Sequence, residues 1–170
     1  MSKPIDRARI QEEIDAYFDE ILQELRNLEW AMAEIGDDFD EAEWIACFES
    51  GEPAEQARRS QVLWPFSNAF NCLNEVLRRA SWIKQGQETT EDMKAVLTTL
   101  RQDGGIRSST EKTLKRLNRD GRNAVTHGYP GTDPAALRLA ILDFVGVQPA
   151  LRGELDAWLV KRGYRLMPQP

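Results

Sequence analysis

The chain has 170 residues, 41% of them hydrophobic, and a formal net charge of −6. That length and composition fit one domain built on one core and exclude wholesale disorder. The overall acidity argues against a protein that coats polyanions indiscriminately. The charge is unevenly spread, however. Residues 1–56 carry four Lys/Arg against seventeen Asp/Glu, a net of −13, and residues 57–170 carry eighteen against eleven, a net of +7. A basic surface able to meet nucleic acid therefore remains open to the second part of the chain.

The first element is written by Ile14, Phe18, Ile21, Leu25, Leu28, Met32 and Ile35. Steps of four and three residues place them on one stripe of a long helix whose other faces are mostly acidic. The acidic stretch at about 36–56 begins and ends with helix breakers and reads as an insertion or linker, with a short helix around Trp44 to Phe48. A second long helix is expected from about Ala54 to Lys84, with Val62, Phe66, Phe70, Leu73 and Leu77 among its buried positions. Pro65 inside it predicts a bend or a fresh start. Thr89 and Asp92 stand near capping-box spacing ahead of Met93, Val96, Leu97 and Leu100. Ser108 and Glu111 have that spacing ahead of Leu114 and Leu117. Gly121 weakens a continuous helix by about 1 kcal/mol relative to Ala. It predicts a kink there, or a restart with Asp120 as the cap. Gly128 and Pro130 end this element. Asp133 before Pro134 reads as an N-cap with proline in the first turn. Leu137, Ala140, Ile141 and Phe144 then mark one helical face, and Leu151, Leu155, Trp158 and Leu159 a last helix. No segment alternates like a strand. The expected fold is all-α: one domain over 1–170, an up-and-down bundle of four main helices plus short ones.

Cys47 and Cys72 are the only cysteines and His127 the only histidine. With no CxxC pair, they do not make a usual zinc site, and two buried thiols in a reducing compartment is the simpler reading. No metal or other cofactor is expected. No apolar run comes near the ~20 residues that span a bilayer, and the start "MSKPIDRARI" lacks the apolar core of a signal peptide, so a cytoplasmic location is expected.

The stretch "RNAVTHGYPG", residues 122–131, carries the chemistry. His127 alone has an ordinary pKa that lets it gain and lose a proton near neutral pH. Arg122 is permanently cationic and hydrogen-bonds two phosphate oxygens at once. A base that takes a ribose 2′-OH proton and a cation that steadies the phosphoryl anion are the minimum kit for cutting RNA without metal. Positions five apart differ by about 140° around a helix, so the two do not share one stripe. Either the helix end unwinds at Gly128, or a twofold dimer pools two arginines and two histidines in one cleft. Asn123, four residues before His127, is placed to fix its tautomer and orientation. The plainer reading of His127 is a helix-end residue favoured by the dipole.

Arg122-Asn123-Ala124-Val125-Thr126-His127-Gly128-Tyr129 resembles the R-x4-H-x-Y motif of HepT-type toxins in the HEPN superfamily. Gly105-Ile106 and "TDPAALRLAILDFV" resemble the helix-loop-helix context of that family, and the resemblance covers about residues 60–160. It implies an all-helical fold, commonly dimeric, and a metal-independent ribonuclease with Arg122 and His127 as the catalytic pair and Asn123 in support. It also implies a MntA-like nucleotidyltransferase antitoxin as partner, adding AMP to Tyr129. A bulky anionic group beside the cleft would block RNA and repel its phosphates.

Lys112, Lys115, Arg116 and Arg119 lead into the motif. They read either as a track for RNA backbone or as a solvated helix face. Ser67, Asn68, Asn71 and Glu75 form a polar seam that either faces a cleft or is simply the exposed side of its helix. The five tryptophans read as core or interface residues, with base stacking open to Trp64 or Trp82. The expectation is an endoribonuclease toxin that acts as a homodimer on RNA. The alternatives are a non-catalytic HEPN module that pairs with a nucleotidyltransferase-like protein, and a plain helical interaction protein.

Overall fold

The computed structural model describes residues 4–126 and 133–170, and for 121–126 the helical backbone alone. The described residues form six α-helices and no strand: α1 (Arg7–Ala33), α2 (Glu41–Glu49), α3 (Pro53–Gln85), α4 (Met93–Gln102), α5 (Ser108–Thr126) and α6 (Pro134–Lys161). The all-α expectation holds, with α1, α3, α5 and α6 as the long helices and α2 and α4 as the short ones.

The two long pairs, α1 with α3 and α5 with α6, run antiparallel. Glu13 meets Arg79 at 2.9 Å and Glu24 meets Asn68 at 3.0 Å, so rising along α1 is falling along α3. Arg116 meets Asp143 and Arg107 meets Glu154, which sets α5 against α6 in the same way. The α1 stripe is buried as its spacing requires: Ile14, Ile21, Leu28 and Ile35 are fully enclosed. Phe66 and Phe70 of α3 meet Phe144 of α6 edge-on, with ring centroids 5.4 and 6.0 Å apart, and join the two halves of the bundle.

The short helix expected around Trp44 to Phe48 is present as α2, and the acidic stretch that holds it is docked on the bundle. Trp44 is fully buried, and its Nε1 donates to the carbonyl of Pro134 at 2.9 Å. Arg138 of α6 donates to the carbonyls of Asp38 and Phe39, which hold left-handed backbone at φ 54° and 55°. That conformation is costly for residues with a Cβ, and the guanidinium together with the buried Phe39 ring over-determines it. The segment is thus fastened to the first turns of α6.

Asp92, not Thr89, caps α4, accepting from Ala95 N at 2.8 Å. Ser108 is the first residue of α5 and not its cap. Arg107 N donates to Glu154 at 2.8 Å, and Glu111 turns to Lys115 and Arg101. Neither Pro65 nor Gly121 starts a helix afresh: α3 and α5 run through them. The last two expected helices are one, α6, which runs through Pro149. Asp133 caps it as expected, accepting from Ala135 N at 3.0 Å.

α6 also corrects the membrane reading. By length and composition alone it is apolar enough to cross a bilayer, with mean hydropathy 1.3 over its most apolar stretch. In this fold one face of it is buried, through Leu137, Ile141, Phe144, Leu151, Leu155 and Trp158, and 33% of that apolar stretch is enclosed.

Candidate functional site

α5 is amphipathic. Leu114 and Leu117 are buried against the bundle, while the basic residues lie on its other faces. Its start is fixed by Glu154 of α6, whose carboxylate accepts from Arg107 N at 2.8 Å and from Thr110 Oγ1 at 3.0 Å. A carboxylate on the first turn also suits the positive end of the helix dipole. Because α5 continues through Gly121 to Thr126, the Cα of Arg122 lies on the same stripe as those of Lys115 and Asn118, two turns and one turn upstream. Asn123 lies correspondingly on the stripe of Arg116. Their side chains, and His127 and Tyr129 altogether, lie outside the described residues.

The four cations singled out in the sequence do converge. Lys112, Lys115, Arg116 and Arg119 line one groove of about 740 Å³ between α4 and α5, together with Lys94 and the apolar Met93 and Leu97. Three of the four are already partnered. Lys115 donates to Glu111 at 2.6 Å and to Thr98 at 3.0 Å. Arg116 meets Asp143 at 2.5 Å, and Arg119 clasps Asp120 through two hydrogen bonds of 2.7 and 3.1 Å. The Arg119 hydrogen bond holds the Asp120 carboxyl below the usual aspartate range, against the opposing effect of burial. Asp120 thus serves as a partner to Arg119 and not as a helix cap.

Beside this groove lies a second hollow of about 660 Å³, between α1, α3 and the start of α4. The two share Asp92, Met93 and Asn118 in their walls, so they adjoin. Its apolar surface comes from Tyr17, Phe70 and Met93. Asn71, Asn74 and Asn118 supply three carboxamides, and Glu75, Arg78 and Asp92 supply charge. Arg78 is fixed by Glu91, whose carbonyl it meets at 2.9 Å. Glu75 is tied to Arg79 and lies 3.5 Å from Arg78. The carboxamide oxygen of Asn74 is buried with no hydrogen-bond partner. Cys72 also lines the hollow; burial and then Glu20, Glu24 and Glu75 push its thiol above the usual range, so it stays protonated.

The polar seam of α3 divides between two jobs. Asn68 donates to the buried Glu24 of α1 at 3.0 Å, while Asn71 and Glu75 face the second hollow. The tryptophans divide too. Trp44 and Trp158 are core, and Trp82 donates to the Thr89 carbonyl at 2.9 Å with Arg79 over its ring. Trp30 and Trp64 stand in solvent, 59% and 69% exposed.

The sequence reading passed over Lys94, Asn74 and Asn118. Asn118 stands four residues before Arg122, a spacing that marks it only once α5 is known to be unbroken. Lys94 and Asn74 sit on other helices and carry no local signal. Among the described residues no group of three or more His, Cys, Asp or Glu side chains is arranged to hold a metal ion. Comparison of the chain with family models, with curated proteins and with solved structures gives no match.

Proposed function

We propose that this chain is a metal-independent endoribonuclease of the toxin type, similar to HepT proteins of the HEPN superfamily, acting as a homodimer. The observation that carries the reading is the position of the motif. Arg122 and Asn123 stand on the final turns of a helix whose preceding turns line a basic groove, inside an all-α bundle. In this reading His127 takes the proton from a ribose 2′-OH. The 2′ oxygen then attacks the adjacent phosphorus, Arg122 holds the charge that develops on the phosphoryl oxygens, and the 5′ oxygen leaves with a proton. The products are a 2′,3′-cyclic phosphate and a 5′-hydroxyl. Asn123 orients the imidazole, and Lys112, Lys115, Arg116 and Arg119 hold the RNA backbone. Tyr129 receives AMP from a MntA-like nucleotidyltransferase antitoxin, which silences the cleft.

The test is cleavage of RNA by the purified chain in EDTA. His127→Ala and Arg122→Ala are each expected to lower the rate by at least about a hundredfold. Cleavage at the parental rate by His127→Ala sinks the reading. A second reading, a binding module without catalysis, draws on the pairing of Lys115, Arg116 and Arg119 with carboxylates, which leaves little free charge for a phosphate in flight. It predicts RNA binding with no cyclic-phosphate product. Intact-mass measurement after co-expression with a MntA-like nucleotidyltransferase reads the Tyr129 modification directly: one AMP is expected, and none after Tyr129→Phe.

A further inference from the structure

We propose that Lys94 of α4 and Lys112 of α5 are the two phosphate-binding positions of the cationic groove, which makes α4 the second wall of the RNA site. This deepens the ribonuclease reading and rests on it for the identity of the polymer. Five cations of the described residues line the groove. Three are engaged by carboxylates: Lys115 by the buried Glu111, Arg116 by Asp143 of α6 and Arg119 by Asp120. Among the described residues Lys94 and Lys112 make no ion pair, and both are exposed. Residues 1–3 and 121–132 contain no Asp or Glu that could pair with them. The carboxylate in the groove wall, Asp92, caps α4 and accepts from Ala95 N at 2.8 Å.

Both lysines stand where local electrostatics disfavours them. Lys94 is the second residue of α4, at the positive end of the helix dipole, where an anion is favoured and a cation is not. Lys112 lies three residues before Lys115 and four before Arg116 on one helix, and like charges at those spacings repel. A cation held against the local field with no partner does not stabilise the fold, and such local violations gather where a chain binds something. An anion between the walls relieves both penalties, meeting Lys94 from α4 and Lys112 from α5. Phosphodiesters suit the pair, because each carries one charge and lysine takes it as a point charge with three donors. α5 also leads from this pair to the motif. Lys112 stands ten residues before Arg122, about 15 Å along the helix. A strand held here reaches Arg122 within about four nucleotides at a rise of roughly 3.4 Å each.

The experiment is fluorescence anisotropy of the full chain with a 2′-O-methylated single-stranded RNA, from about 50 to about 200 mM salt. A methylated 2′ oxygen does not attack phosphorus, so binding is read without turnover. The parent is expected to show a slope of log affinity against log salt of about −1.4, two phosphates at about 0.7 each. Lys94→Gln and Lys112→Gln are each expected to make the slope shallower by about 0.7 and to weaken binding a few-fold at the lowest salt. The double variant is expected to lose nearly all salt dependence. Lys161→Gln removes an equal charge from the last turn of α6 and is expected to leave slope and affinity unchanged. The melting temperatures of the two groove variants are expected to match or exceed the parent's. A slope unmoved by either groove substitution, an equal effect from Lys161→Gln, or no RNA binding by the parent overturns the pair. So does tighter binding of a poly-glutamate of matching charge, or a melting temperature several degrees lower in the groove variants. Binding that depends on the pair without cleavage of unmodified RNA removes the ribonuclease and leaves the site. Cleavage that survives both substitutions, with the slope unmoved, removes the site alone.

Discussion

Cys47 shows how a single buried group ties this fold to pH. Its thiol donates to Glu55 at 3.0 Å, and the residue is fully buried. Burial and then the Glu55 hydrogen bond push its pKa up to about 11, well above the ~8.5 of a free thiol. The neutral form is the one the fold favours. Its contribution to stability is therefore complete below the unfolded value and is lost as pH rises through the folded one. Above that point a thiolate would face a carboxylate that can no longer accept a proton from it. The stability gap between the parent and Cys47→Ala is expected to be about 1–2 kcal/mol near pH 7, from lost packing and the lost hydrogen bond. It should narrow steadily between pH 9 and pH 11. Thermal melts of both proteins across that range check this, and a gap that stays constant to pH 11 contradicts it.

At the scale of elements, two junctions are exposed to test. Glu154→Ala leaves Arg107 N and Thr110 Oγ1, at the start of α5, without their acceptor. A loss of about 1–2 kcal/mol is expected by urea unfolding, and with it weaker RNA binding, because α5 carries most of the cationic groove. Trp44→Ala removes both a buried indole and the hydrogen bond to Pro134. It is expected to cost about 3–5 kcal/mol and to open the 36–56 segment to protease; a melt within a degree of the parent would contradict the docking of α2. The helix stripes were legible because three-and-four spacing survives any tertiary context. The junctions were not. Asp92 and Thr89 are both plausible caps, and only packing chooses between them. α6 reads as two helices because Gly146, Pro149 and Gly153 interrupt it. Gly146 and Pro149 face solvent, while Phe144, Gln148, Leu151 and Leu155 face the core. Burial of that face outweighs the local penalty, and Gln148 turns its amide onto the Phe144 carbonyl at 3.1 Å in the turn before Pro149.

For the whole molecule the governing fact is the segregation of charge. Most of the acidic third of the sequence becomes α1 and α2, while α4 and α5 frame the cationic groove. The motif was legible as chemistry, since only a few residue types move protons or hold phosphate. The groove was half legible: its cations on α5 are neighbours in sequence, but Lys94 comes from α4 and Asp143, which neutralises Arg116, from α6. That neutralisation sets a measurable quantity. Each phosphate neutralised by a free cation on a single strand steepens the fall of log affinity with log salt by about 0.7. Five free cations would give a slope near −3.5. With Lys115 held by Glu111, Arg116 by Asp143 and Arg119 by Asp120, the expected slope is only about −1 to −2. Asp143→Asn frees Arg116 at little cost in stability, because an exposed ion pair is worth at most about 1 kcal/mol. The substitution is expected to tighten RNA binding a few-fold at low salt and to steepen the slope by about 0.7. Fluorescence anisotropy with a single-stranded RNA between 50 and 200 mM salt, in a His127→Ala background that prevents turnover, measures both. An unchanged slope would mean that Arg116 meets no phosphate and that RNA, if bound, lies elsewhere on the bundle.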